Sequence, residues 1–142
     1  MTVFLVILAA LAPVAWLLWT IYRKDSVQPE PTKWLVKAFL YGVGSLFLSF
    51  AISMPTSIVL GLSVDNQTYE SLFEALADAI LLAAVPEELA KFFMLWLLLR
   101  KNPFFDEHFD GIVYAVCVGL GFAALENVCY LINGIEDGSW IG

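Results

Sequence analysis

Long apolar runs alternate with short polar breaks along the chain. The first run covers about residues 2–22 and is rich in Leu, Val, Ala and Trp. Some 20 apolar residues suffice for a helix to cross the ~30 Å hydrocarbon core of a bilayer. Further runs cover about 34–60, 71–99 and 111–132. The predicted fold is therefore all-α, a multi-pass transmembrane helix bundle of about four membrane-spanning helices, forming a single membrane domain over residues 1–142. Pro29 and Pro31 mark the first break as a loop. Pro55 is expected to kink the far end of the second helix, and Pro86 to disturb the third. Lys37 stands near the start of the second run, where its stem can snorkel to the interface. The third run opens amphipathically, so Glu74 and Asp78 are expected to form a polar face at the outer surface. The short Asn66-Gln67-Thr68 sequon in the polar stretch 63–70 is a pattern that arises readily by chance.

Composition agrees with a membrane class. Of 142 residues, 61% are hydrophobic and 15% charged, against roughly 45–50% and about 25% in soluble domains. The net charge of −7 matters less than where the cations lie. Arg23, Lys24, Lys33 and Lys37 flank the first break, Arg100 and Lys101 the third, and only Lys91 falls inside an apolar run. Under the positive-inside rule the loops 23–33 and 100–110 are cytoplasmic and both termini lie outside, in a cell (cytoplasmic) membrane with lipid as surroundings. The first run has no cation before it and Arg23-Lys24 after it, the reverse of a cleavable leader. No basic patch offers itself to nucleic acid. Cys117 and Cys129 are twelve residues apart on one helix, ~18 Å by helical rise, too far to pair, and are expected to be buried small apolar residues.

Inside the predicted spans the strongly polar residues are Glu87, Glu88, Lys91, Glu126 and Asn127. A charge at mid-helix costs about 2.5–3.5 kcal/mol on insertion scales, so their retention needs a reason. Glu87 lies 13 residues before Arg100 and Glu126 lies 15 after Gly111, which puts both ~20 Å from the same face of the membrane at ~1.5 Å per residue. A short connection makes the third and fourth helices antiparallel neighbours, so these acids are expected to converge. Ala115, Gly119, Ala123 and Glu126 form a stripe of mostly small residues expected to dock the fourth helix closely. Glu87 and Lys91, four apart, are expected to pair, with Glu88 projecting ~100° away. Adjacent carboxylates in a low-dielectric pocket resist ionising together, which yields one acid and one base for activating water and protonating a leaving amine. Alternatively, carboxylates with an imidazole could hold zinc. The Gly119-x-Gly121-x-x-Ala124 string follows no strand and is read as helix packing, not as a dinucleotide fingerprint. His108 is read as a loop residue.

Two segments resemble a known family. Pro86-Glu87-Glu88-Leu89-Ala90-Lys91-Phe92 is similar to the Glu-Glu-x-x-Lys motif of the PrsW family of intramembrane proteases. Asp106 to Tyr114, followed by Val118 to Asn127, looks like that family's second motif. The resemblance implies a multi-pass membrane protease distantly related to the CAAX prenyl proteases. It implies Glu87, Glu88, Lys91, Glu126 and Asn127 as catalytic residues, Zn²⁺ or another divalent metal as cofactor with Glu88 and Glu126 as its ligands, and a single-span substrate such as an anti-sigma factor receiving its first cut. The family's third motif carries a histidine in a later helix that has no counterpart here. The 142 residues are therefore expected to be the N-terminal part of a larger bundle, inactive alone. The rival reading is non-enzymatic: buried Glu, Lys and Asn in a proton or ion transporter, or in a protein that binds a partner helix.

Overall fold

Helix boundaries are set by local hydrogen bonding at the polar breaks. The computed structural model describes residues 2–24, 30–61 and 71–136. The loop 63–70 with its sequon, most of the loop between the first two helices, and the C-terminal tail lie outside the described residues. Helix α1 spans Thr2–Lys24. Pro31, with φ −59° and ψ 123°, precedes α2, and its carbonyl accepts from the N–H groups of Trp34 (2.8 Å) and Leu35 (3.3 Å). Helix α2 spans Thr32–Leu60 and runs through Pro55 without interruption. It stops at Gly61, whose φ of 65° is left-handed backbone that glycine adopts without steric cost.

The third predicted run is one rod made of three pieces: α3 (Leu72–Asp78), a π-helical segment (Ala79–Ala84) and α4 (Val85–Leu99). Ser71 caps α3, its hydroxyl accepting from the Glu74 N–H at 3.2 Å. The π segment answers Pro86. A proline ring clashes with the carbonyl four residues back, and widening the preceding turn removes that clash. The N–H of Val85 accordingly bonds five residues back, to Ile80.

Helix α5 spans His108–Glu136 and begins before the apolar run because Asp110 caps it. The Asp110 Oδ2 accepts from the N–H groups of Glu107 (2.8 Å) and Asp106 (3.2 Å), an acid in the first turn reaching back to the chain ahead of the helix. His108, expected in the loop, is thus the first residue of α5.

No strand occurs among the described residues. Helix α2 and the stretch His108–Gly134 are long and apolar enough to cross a membrane, and α1 holds a shorter apolar stretch, Ile7–Thr20. The architecture is a helical membrane bundle with α2 at its centre, packed against both α4 and α5, which also touch each other, while α1 leans on α5.

The tightest seam corrects the expected stripe. A Cβ on Gly42 would fall inside the van der Waals radius of the Val118 carbonyl, and one on Gly121 would overlap the Phe39 carbonyl and lie 3.2 Å from Gly42 Cα. Gly42 of α2 and Gly121 of α5 thus allow backbone contact between the two helices. A Cβ on Gly119 would meet nothing within 4 Å, because its face opens on a groove. Beside the seam, Ala38, Leu98, Tyr114, Cys117 and Val118 form the core. Cys129, expected to be buried, is exposed on the outside of α5.

One end of the bundle is polar and interlocked. Tyr114, fully buried, donates its hydroxyl hydrogen to the Glu30 carboxylate, itself 6% exposed. At this same end Arg23 stacks on Trp19 (4.8 Å), Lys37 on Trp34 (4.2 Å) and Arg100 on Trp96 (4.7 Å). Lys37 therefore lies over aromatic rings at the interface, as its position near the helix start suggests.

Candidate active site

The turn from the π segment into α4 presents Glu87 and Glu88 in different directions. Glu87 is 30% exposed and Glu88 is 75% exposed. Glu87 lines a cavity of about 690 Å³ bounded by α2, the end of α3, the π segment and α5. Glu88 lines a separate groove of about 340 Å³ between α4 and α5, with Lys91, Ala115 and Gly119. That groove explains why Gly119 makes no close packing.

Lys91 joins the two acids. Its Nζ lies 2.7 Å from Glu88 Oε1 and 4.0 Å from Glu87 Oε2. The tight partner is therefore Glu88, three residues away, and the expected Glu87–Lys91 pair is the looser of the two. Lys91 also sits over the Phe122 ring at 4.3 Å, which fastens α4 to α5 at the level of the acids.

Helices α4 and α5, expected to be neighbours, pack against each other. The Glu126 carboxylate bears on Glu87, through space and across the bundle. Asn127 follows on α5, half-buried, and no hydrogen bond ties it to the glutamates among the described residues.

Two features of the cavity escaped the sequence reading. Asp78, expected at the outer surface, is 8% exposed and lines the Glu87 cavity. Its Oδ1 is buried with no hydrogen-bond partner among the described residues. Glu74, the other half of that expected face, is exposed. On an uninterrupted α-helix nine residues at ~100° each would set Asp78 opposite Glu87. The wider π turns rotate less per residue and bring it round. The opposite wall is α2, where Ser49, Ser53 and Ser57 face the same space, and Tyr130 contributes from α5. The four-residue spacing of those serines was legible, but only the fold shows what they face.

A helical bundle that carries a partly buried carboxylate, a neighbouring ammonium and a cavity with three serines on one wall is that of an integral membrane protein with polar groups among its apolar helices. Comparison with known proteins narrows the class. The chain belongs to the PrsW family: residues 30–140 match the model described as PrsW family intramembrane metalloprotease. It is 37% identical over 134 residues to a protein from Geobacillus kaustophilus named Protease PrsW, covering 94% of this chain and 55% of that one. The Bacillus subtilis protein of the same name is also 37% identical, with 94% and 57% covered, and that of Oceanobacillus iheyensis 36%, with 90% and 55% covered. The chain thus spans about half the length of the curated relatives it matches. No solved structure matches it.

The family description includes a metal, and the donors here can be tested for it. A catalytic zinc usually takes three protein ligands. Among the described residues no three His, Cys, Asp or Glu side chains are grouped to hold a metal ion. Glu87 and Glu126 supply two carboxylates, and His108 is exposed at the start of α5. These residues do not complete a metal site, so the chemistry this chain itself supplies is that of carboxylates, hydroxyls and one ammonium.

Proposed function

We propose that the chain carries the acidic centre of an intramembrane endopeptidase that hydrolyses a peptide bond in a membrane-spanning protein. The observation that supports this best is Glu87, presented by the π turn to a cavity that also holds three serines and Asp78, with the charge of Glu126 acting on it. In this reading Glu87 takes a proton from a water molecule in the cavity as it attacks the scissile carbonyl, and returns a proton to the leaving amine. Glu126 and Asn127 orient that water or the tetrahedral oxyanion's surroundings, and Lys91 offsets negative charge beside the base. Glu88, mostly exposed and held by Lys91, fixes the position of that ammonium. A single-span anti-sigma factor, cut first toward the outer side, suits a centre ~20 Å from the basic end of the bundle. The orientation follows the cations: stacked Arg23, Lys37 and Arg100 face the cytoplasm, and all four helical runs cross the cytoplasmic membrane.

The test is cleavage of a single-span anti-sigma substrate by the full-length protein in proteoliposomes. Loss of a general base typically costs 10²- to 10⁴-fold in rate. Glu87→Gln should show a loss of that order in kcat, and Glu88→Gln a smaller one. Undiminished cleavage by both variants ends the reading. Proton-dependent flux without peptide products would instead support a transporter.

A further inference from the structure

The wall of the Glu87 cavity opposite the acids is a row of serines on α2 with unusual regularity. Ser49, Ser53 and Ser57 stand four residues apart and all line the cavity. Each hydroxyl donates its single hydrogen to its own helix: Ser49 to the Leu46 carbonyl at 2.7 Å, Ser53 to Phe50 at 3.4 Å and Ser57 to Met54 at 2.8 Å. A hydroxyl has one hydrogen and two lone pairs, so Ser49 and Ser57, whose hydrogens are held at 2.7 and 2.8 Å, offer the cavity acceptor capacity and no donor, while Ser53, held more loosely at 3.4 Å, offers lone pairs as well. Asp78 on the facing element has a buried oxygen, Oδ1, with no partner among the described residues. A row of acceptors along one wall of an otherwise largely apolar cavity suits an occupant with apolar side chains and hydrogen-bond donors in a row.

We propose that Ser49, Ser53 and Ser57, with Asp78 facing them, form a subsite that binds the main chain of an unwound, extended segment of a membrane-spanning peptide through its N–H groups. The spacing supports this occupant. Four residues of α-helix advance ~6 Å, while alternate residues of an extended chain, whose N–H groups point to the same side, advance ~6.6–6.8 Å. From Ser49 to Ser57 the wall measures ~12 Å, close to the ~13 Å of four extended residues. The need is equally physical. A helix opened within hydrocarbon exposes N–H groups that find no water there, and a peptide bond inside an intact helix is closed to attack. The serine wall supplies the acceptors that the opened helix has lost, beside Glu87. This subsite rests on the protease reading, because it explains how a spanning helix is held open at the base.

The experiment separates the two ideas by measuring binding on a protein that cannot cleave. Full-length Glu87→Gln protein is placed in phosphatidylethanolamine–phosphatidylglycerol vesicles with a fluorescent Leu/Ala single-span peptide carrying a Gly-Gly pair in its outer third. Affinity is read by energy transfer. In a series of peptides, one amide at a time near the Gly-Gly pair is replaced by an ester, which deletes one N–H. Esters at alternate positions should weaken binding about threefold to tenfold each, the worth of one hydrogen bond. That effect should vanish against the matching Ser53→Ala or Ser57→Ala protein, since the two changes remove one bond. Ser53→Thr, which keeps the oxygen, should retain the sensitivity. Failure of the peptide to bind, or ester effects that are equal in serine and alanine proteins, overturns the subsite. Cleavage of the same peptide by unsubstituted protein is scored separately. Cleavage without serine coupling sinks only the subsite, and coupling without cleavage sinks the protease reading.

Discussion

At the scale of single residues, the two members of the acidic pair stand in different surroundings. Glu87 faces a cavity and feels Glu126, whereas Glu88 is three-quarters exposed and grips Lys91 at 2.7 Å. An exposed ion pair contributes little to stability, typically about 0–1 kcal/mol, so Glu88→Gln should leave the thermal unfolding midpoint in detergent nearly unchanged. Asp78 is buried with an orphan oxygen, which costs stability wherever no donor meets it. Asp78→Leu, which removes both acceptor oxygens at similar size, should raise KM about threefold to tenfold on a single-span substrate while moving kcat less. A matched fall in kcat and kcat/KM would instead show that Asp78 acts in the transition state. Tyr114 donates to a buried Glu30 at the opposite end of the bundle. Tyr114→Phe removes that donor from a buried carboxylate and should destabilise by about 1–3 kcal/mol, readable as a lower thermal unfolding midpoint in detergent.

At the scale of elements, two backbone devices position the centre. The first is the π segment ahead of Pro86. Pro86→Ala restores an N–H and removes the ring clash, so the rod is free to relax to regular α-helix. The expected result is equal or higher thermal stability with at least a tenfold loss of cleavage, because Asp78 rotates away from the Glu87 face. Equal activity in Pro86→Ala would show that the π turn has no part in the site. The second device is the Gly42–Gly121 seam. Gly121→Ala forces α2 and α5 apart, an overpacking that costs typically 1–3 kcal/mol. Gly119→Ala, with open space around it, should be neutral or slightly stabilising. Parallel unfolding curves of the two variants check this contrast.

At the scale of the whole molecule, α2 is the organising helix. Because α4 and α5 both lean on it, Glu87 of α4, Tyr130 of α5 and the serines of α2 line one space. The cation–aromatic pairs at Trp19, Trp34 and Trp96 gather at a single end, where amphipathic rings and charges favour the membrane–water boundary. In a background without Cys117 and Cys129, Lys101→Cys should react with a membrane-impermeant thiol reagent only after the cytoplasmic side is opened. Labelling from outside would reverse the proposed orientation.

The sequence by itself determined the helical membrane class, because apolar run length is a local property that the bilayer reads directly. It also determined Glu87, Glu88, Lys91, Glu126 and Asn127 as the residues to examine, since charge within an apolar run stands out without any fold. Tertiary structure alone decided which glutamate enters the cavity, that Gly42 and Gly121 rather than Gly119 make the close seam, and that Asp78 belongs inside. Each depends on rotation about a helix axis. A few widened turns before Pro86 change that rotation by enough to carry a side chain from one face to another, and an apolar pattern read at constant period has no means of registering it.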